Sequence, residues 1–195
     1  MTLLVAAKIV WAAGCIGWYV IRLPFERKVK RERVIDARDR LRELVLLSCS
    51  TMGLGIVPLL WATSPIFNGA DYPYSAVQFA LGTLTFLFSL WLFRRTHRDL
   101  GKNWSVTLEI KDTHKLITGG VYRHVRHPMY SAFFLWALAQ LILIPNWIAG
   151  PAGLIGFGIL YAFRVGREEK MMLDTFGDEY RAYSARTARL LPGVY

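Results

Sequence analysis

Five apolar runs restrict this chain more than anything else in it. They cover residues 3–21, broken only by Lys8, and then 44–63, 76–93, 128–144 and 147–163. Each approaches the roughly 20 residues that an α-helix needs to cross a hydrocarbon core of about 30 Å. Inside such a core a lone run must satisfy its own backbone N–H and C=O groups, and only a helix does that. The sequence therefore predicts an all-α, polytopic membrane protein with five transmembrane helices. Apolar residues are 54% of the 195, more than a soluble domain of this size usually carries, which disfavours apolar helices of a large globular core.

The fourth and fifth runs are joined by Pro145-Asn146 and read as a tight helical hairpin. At 1.5 Å per residue the fourth covers only about 25 Å, so it barely spans. On the fifth, Ala149, Ala152, Gly153, Gly156 and Gly158 offer small side chains that let a neighbouring backbone come close. In the second run, Gly53, Gly55 and Pro58 predict a kink.

The charges lie between the runs. Of 24 Lys and Arg residues, nine fall in 22–42, eight in 94–126 and six in 164–189, leaving Lys8. Segment 62–75 and the Pro145 turn have none. The positive-inside rule then puts the amino terminus outside and the carboxyl terminus in the cytoplasm. A net charge of +10 divided among membrane-flanking loops needs no nucleic acid to explain it. Cys15 and Cys49 lie within runs, without metal or disulfide spacing. The first run has its positive charges after it rather than before, so it reads as an anchor and not a cleaved signal. The whole chain, 1–195, reads as one domain, with three spans in 1–95 and the chemistry in 96–195.

Segment 22–43 mixes nine basic with five acidic residues and is expected to be a solvated connector with some helix against anionic headgroups. Segment 62–75 reads as a turn-rich external loop. A long connection is expected from 96 to 126, in which 106–110 could pair as a strand between Gly101, Asn103 and Gly119-Gly120; connections of that length are often functional. From 164 to 186 an apolar stripe of Met171, Met172, Phe176, Tyr180 and Tyr183 predicts an amphipathic helix, on the membrane surface or folded back over the loop. A break at Gly177 into two helices fits equally.

Chemistry is expected where polar stretches abut apolar runs, at 112–130 and 164–169. Arg164 and Glu168 share a helix face one turn apart; they either pair with each other or each hold a ligand group, as boundary charges often do. Arg126-His127-Pro128 opens the fourth helix, with Pro at a first turn whose N–H would be unpaired anyway. His127 is then a helix cap or part of a polar cradle opening on the apolar phase.

The pattern D-x-H-x-L-I-x-x-G-x-Y-x-x-x-R-H-P-x-Y, here Asp112, His114, Leu116, Ile117, Gly120, Tyr122, Arg126, His127, Pro128 and Tyr130, resembles the isoprenylcysteine carboxyl methyltransferase family. So does R-x-x-x-E-E followed by F-G-x-E-Y, here Arg164, Glu168, Glu169, Phe176, Gly177, Glu179 and Tyr180, a pattern also similar to phospholipid methyltransferases. The resemblance covers the carboxyl-terminal half; the first three runs share only hydropathy, and length and span number are most similar to small prokaryotic members. It implies S-adenosyl-L-methionine as cofactor, S-adenosyl-L-homocysteine as product, and a lipid-like or prenylated acceptor entering from the bilayer. The loop and carboxyl-terminal helix would form the cofactor pocket on the cytoplasmic side. By the same resemblance, His114, Lys115, Leu116, Ile117, Tyr122, His127, Pro128, Met129 and Tyr130 would line the cofactor. Glu168 would face its amino-acid or sulfonium end, and Arg164 would hold the acceptor carboxylate, the two forming the catalytic pair. Lys115, Met129 and Gly119-Gly120 stand at variable places in the pattern, so their side chains are expected to matter less. No metal is required.

Two other readings remain. A phospholipid amine N-methyltransferase would need a base, for which Glu168 or Glu169 is the candidate. A scaffold or small transporter would be expected to show internal repeats or mid-span charges; the sequence has neither beyond Lys8.

Overall fold

The computed structural model describes residues 2–29, 34–37, 40–101, 109–111 and 116–194. The order is α1 (Leu3–Val29), β1 (Val34–Ala37), α2 (Arg40–Thr51), α3 (Val57–Thr63), α4 (Ala76–Leu100), β2 (Glu109–Lys111), α5 (Pro128–Leu143) and α6 (Ala149–Arg186). Among the described residues four stretches are long and apolar enough to cross a membrane: Leu3–Glu26, Leu41–Thr63, Ala76–Leu100 and Ala149–Arg186. With the shorter apolar α5 they make the five-helix, all-α architecture of an integral membrane protein.

The short helix lies in the middle. Ala137, Ala139 and Leu143 of α5 are 0% exposed, and Trp136 packs its ring 5.7 Å from Trp18 of α1 and 5.3 Å from Phe86 of α4. Neighbouring helices thus cover a segment of 16 residues, about 24 Å long. Large apolar side chains of the outer helices point away: Ile16, Val20, Leu84 and Leu87 are 58–65% exposed. Such a belt would be a liability in water and is the expected surface toward lipid.

The expected kink is a π-helical turn at Met52–Ile56 joining α2 to α3. Pro58 has no N–H to donate one turn back, and the wider turn absorbs the mismatch, with Val57 N–H reaching Met52 O. Gln140, 0% exposed, donates from Nε2 to Gly53 O at 3.1 Å and to Ala149 O at 2.8 Å, so α5 serves backbone carbonyls of both neighbours. The small residues have their expected use here. A Cβ on Gly53 would stand 2.2 Å from Ala152 O, and one on Gly156 would stand 2.4 Å from Cys49 O, so the two backbones touch.

Segment 62–75 is tied to the turn between α5 and α6. Asn146 donates to Phe67 O and Asp71 Oδ1, both at 2.7 Å, and its Oδ1 accepts from Ile148 and Ala149 N–H at 3.0 and 2.9 Å. The Pro145-Asn146 hairpin is as tight as predicted, and one buried amide both caps α6 and anchors the loop.

The polar side differs from expectation in two places. The 96–126 connection begins later, because α4 continues to Leu100; Thr96 and His97 are 0% exposed, and the His97 ring lies 4.2 Å from Phe93 and 4.9 Å from Phe25. Tertiary packing thus extends the helix past its apolar run. Segment 22–43 is helix at both ends, with β1 between them pairing antiparallel to β2: Val34 opposite Lys111, Asp36 opposite Ile110 and Ala37 opposite Glu109. Of the expected strand at 106–110, residues 106–108 lie outside the described residues.

At 38 residues α6 is about 57 Å of helix, nearly twice the hydrocarbon thickness. It has no charged residue before Arg164, so 149–163 is its membrane-spanning part and the rest emerges. At Gly177 (φ 53°, ψ −123°) the helix breaks, the two-helix alternative, and the chain returns toward the start of α5.

Candidate active site

The site is built where that returning chain meets α5. Residues Val125 and Ala188 form a parallel bridge, with Arg126 N–H donating to Ala188 O at 2.7 Å and His127 N–H to Arg189 O at 3.1 Å. Ser131 Oγ adds a bond to Leu190 O at 2.7 Å. Tyr183 OH donates to Tyr122 O at 2.7 Å, so the helix is folded back over the loop. Two other carbonyls, Ser184 O (2.9 Å) and Thr187 O, accept from Arg126 Nη1. Together these bonds fix the backbone from which His127 projects.

His127 is not a side-chain cap for α5. Its ring, 6% exposed, turns into α6, with Nε2 3.2 Å from Glu169 Oε1 and Nδ1 3.7 Å from Glu168 Oε1. Tyr130, three residues on and hence on the same face of the first turn, donates its OH to Glu168 Oε2 at 2.6 Å. Glu169 also takes Arg126 Nε at 3.1 Å and Arg189 Nη2 at 2.7 Å.

Burial by itself would depress the His127 pKa, but hydrogen bonds and charge from Glu168 and Glu169 outweigh it and hold the imidazole above its ordinary value. The carboxylates answer in the opposite sense. Burial would raise both, yet bonds to His127, with Arg164 and Tyr130 for Glu168 and Arg189 for Glu169, keep them below the usual range. The two anions differ in what is left over. Three cationic groups crowd Glu169, whereas Glu168 has one imidazole at longer range, the charge of Arg164 one turn away and a neutral phenol, and 30% of its side chain remains exposed. Glu168 is therefore the edge that can still receive a cation.

One turn earlier on α6, Arg164 points elsewhere. Its Nε stands 3.4 Å from Glu43 Oε2 of α2, with side chains only 10% and 3% exposed. Arg164 and Glu168 thus reach different partners. At Gly120, expected to stand at a variable place in the pattern, a φ of 61° and a would-be Cβ 2.1 Å from Asp99 Oδ2 both exclude a side chain. Asp99 instead accepts Val121 N–H at 2.9 Å and starts the turn carrying buried Tyr122.

The structure thus brings His127, Pro128, Tyr130 and Glu168 together, with Tyr122 buried in the turn that precedes them and Arg164 one helical turn away. Leu116, Ile117 and Met129 are half-buried; His114 and Lys115 lie outside the described residues. Sequence reasoning did not single out Glu43, Arg189 or the load on Glu169. The doubled Glu168-Glu169 was a usable hint for the last, while nothing local marks Glu43 or Arg189. Beside the cluster an open groove of about 360 Å³ is lined by Arg126, Glu169, Lys170, Tyr180 and Arg181 among others. Among the described residues no His/Cys/Asp/Glu group is arranged to hold a metal.

Fold and site define an integral helical membrane protein with a dense ionic cluster where two of its helices reach the membrane boundary. Residues 80–174 match the sequence model of the isoprenylcysteine carboxyl methyltransferase (ICMT) family. Relatives are the protein-S-isoprenylcysteine O-methyltransferases of Dictyostelium discoideum (31% identical over 101 residues, 49% of this chain and 41% of that protein) and Homo sapiens (32% over 115 residues, 58% and 40%). A probable enzyme of the same name from Oryza sativa subsp. indica is 34% identical over 89 residues, 46% of this chain and 47% of that protein. The chain thus matches less than half the length of these relatives.

Proposed function

We propose that the chain is an S-adenosyl-L-methionine-dependent methyltransferase that esterifies the carboxylate of a prenylated cysteine or similar lipid-borne thiol carboxylate at the cytoplasmic face. The observation that carries this reading is that the ICMT match at 80–174 covers both halves of the His127–Glu168 cluster, joined at 3.7 Å. The residues suit the cofactor. Glu168 keeps an accessible anionic edge for a sulfonium or ammonium group.

When bound, the cofactor supplies an electrophilic methyl group and leaves as the neutral thioether S-adenosyl-L-homocysteine. An acceptor carboxylate is already ionised at neutral pH, so the residues around it would need to bind and orient it without taking a proton from it. The protein's task is to desolvate two opposite charges and align them. Arg164 would grip the carboxylate, Glu168 would balance the cation, and His127 and Tyr130 would hold Glu168 in place. The amine alternative is disfavoured by the same geometry, because carboxylates pinned below their usual pKa are poor bases for an ammonium proton.

Purified protein is incubated with methyl-labelled cofactor and either N-acetyl-S-farnesylcysteine or phosphatidylethanolamine. Label in the farnesylcysteine ester is expected; label only in the amine lipid would replace the carboxylate reading, and no calorimetric binding of S-adenosyl-L-homocysteine would remove the enzyme.

A further inference from the structure

The carboxylate of Glu169 is gripped from two directions. Arg189, on the returning chain past the matched family segment, takes both of its oxygens: Nη2 donates to Oε2 at 2.7 Å and Nε to Oε1 at 3.2 Å. Arg126 donates Nε to the same Oε1 at 3.1 Å. A planar guanidinium that makes two parallel bonds fixes the orientation of a carboxylate as well as its place. The carbonyl of Arg189 also accepts the His127 N–H at 3.1 Å. One residue thus holds both the backbone of His127 and the anion that its ring meets.

That grip decides which nitrogen of His127 carries hydrogen. Glu169 Oε1, 3.2 Å from Nε2, belongs to an ionised carboxylate, which can only accept. Nε2 is therefore the N–H donor in both charge states of the ring, since the bond made at one imidazole nitrogen sets the tautomer. Nδ1 is left facing Glu168 Oε1 across 3.7 Å, longer than a hydrogen bond. The second proton of the ring is gained and lost at that edge. Tyr130, its ring 5.5 Å from the imidazole, is the remaining titratable neighbour. Arg126 and Arg189 reach Glu169, and Arg164 and Glu43 act on the charge of Glu168.

We propose that Glu169 is a positioning residue, locked by Arg189, that holds His127 by Nε2 and turns Nδ1 to Glu168, so that the ring sets how much negative charge Glu168 offers a ligand. With Nδ1 protonated, Glu168 shares its charge with the imidazolium. Once that proton leaves, Glu168 faces a lone pair and gains from a cation in its place. The last step rests on the reading of Glu168 as the counter-charge of the cofactor; the orientation of the ring does not.

Protein carrying isotope-labelled histidine is followed by nitrogen NMR in detergent from about pH 6 to about pH 9, without cofactor, and the signals lost in His127→Gln assign the ring. The neutral His127 ring is expected to be protonated at Nε2 alone. In Glu169→Gln the ring should titrate about one pH unit lower and its neutral form should populate both tautomers. Arg189→Lys, which keeps the charge without the paired grip, should also mix them, to a smaller extent. S-adenosyl-L-homocysteine, titrated by calorimetry over the same range, is expected to bind at least about threefold tighter once the ring is neutral, and Glu169→Gln should displace that change to lower pH. A structural role alone would reduce folded protein and leave tautomer and profile where they are. Should Glu169→Gln not fold, the unaltered protein and Arg189→Lys decide the question. A neutral ring protonated at Nδ1, or a tautomer indifferent to both substitutions, overturns the positioning role, and an affinity that ignores the charge of the ring overturns its link to Glu168. No binding of S-adenosyl-L-homocysteine at any pH would instead remove the cofactor reading and the last step with it, while a ring protonated at Nε2 would still uphold the orientation.

Discussion

His127 is held between two anions, and the sense of its titration decides how the cluster responds to pH. Its folded pKa is raised from 6.5, so its contribution to stability is complete below that value and is lost as pH climbs through the raised one. Glu168 and Glu169 are depressed from 4.5, so theirs is complete above that value and is lost as pH falls through the lower one. The cluster is fully charged between. The unfolding midpoint in detergent is expected to fall as pH is raised from about 6 to about 9, and His127→Gln should flatten that decline; an equally steep decline in the variant would mean other groups govern it. A second prediction separates the two α6 charges. Arg164→Ala should lower turnover by at least about 100-fold with S-adenosyl-L-homocysteine affinity kept within a few-fold, whereas Glu168→Ala should weaken that affinity, both read by calorimetry beside a methylation assay. Equal loss of product binding in both would end the division of roles. The one-turn spacing of Arg164 and Glu168 suggested in the sequence that each could hold a group of its own, and the two side chains do meet different neighbours. The partners of the cluster were not legible, because Glu43 and Arg189 reach it only through the packing of α2 and the return of the chain after Gly177.

The elements were legible in proportion to how far their neighbours leave them alone. Apolar runs fixed the five spans because lipid acts on each separately, and Pro145-Asn146 set its turn locally. The extension of α4 was hidden, since His97 and Thr96 become helical by packing against α1 and the loop, not by their own pattern. The β1–β2 ladder was half hidden for the same reason: each strand is short, and its partner lies far along the chain. The small-residue surface of α6 was legible, and it carries a prediction about how α2 and α6 meet. A Cβ at Gly156 would lie 2.4 Å from Cys49 O, a backbone atom that cannot rotate away. Gly156→Val is expected to cost about 1–3 kcal/mol, as overpacking usually does, and to weaken acceptor turnover more than product binding, because α2 packs against α6 one turn and more before Arg164. Thermal unfolding with and without S-adenosyl-L-homocysteine reads both effects, and an unaltered midpoint would show that the helices can part at no cost. Gly158, with nothing within 4 Å of its would-be Cβ, is the matched control and should tolerate Val.

At the scale of the molecule, charge and thickness act together. The described polar chemistry with net positive flanks lies at one end of the bundle, where α1, α4 and the spanning part of α6 finish and α2 and α5 begin, while the opposite end closes with the Asn146–Asp71 network and carries one described cation, Lys8, 5.1 Å from the Trp61 ring. Lys and Arg resist translocation and draw anionic headgroups, so the cluster end is expected to face the cytoplasm. Cysteines introduced singly at Gly69, in the exposed turn of the opposite end, and at Arg181, exposed beyond the break in α6, test this. A membrane-impermeant maleimide applied to intact cells should label Gly69→Cys and leave Arg181→Cys untouched until the membrane is opened, with the unaltered chain reporting any background from half-buried Cys15 and Cys49. The reverse pattern would put the His127–Glu168 cluster outside, where an intracellular methyl donor could not reach it, and would overturn the proposed reaction together with the orientation.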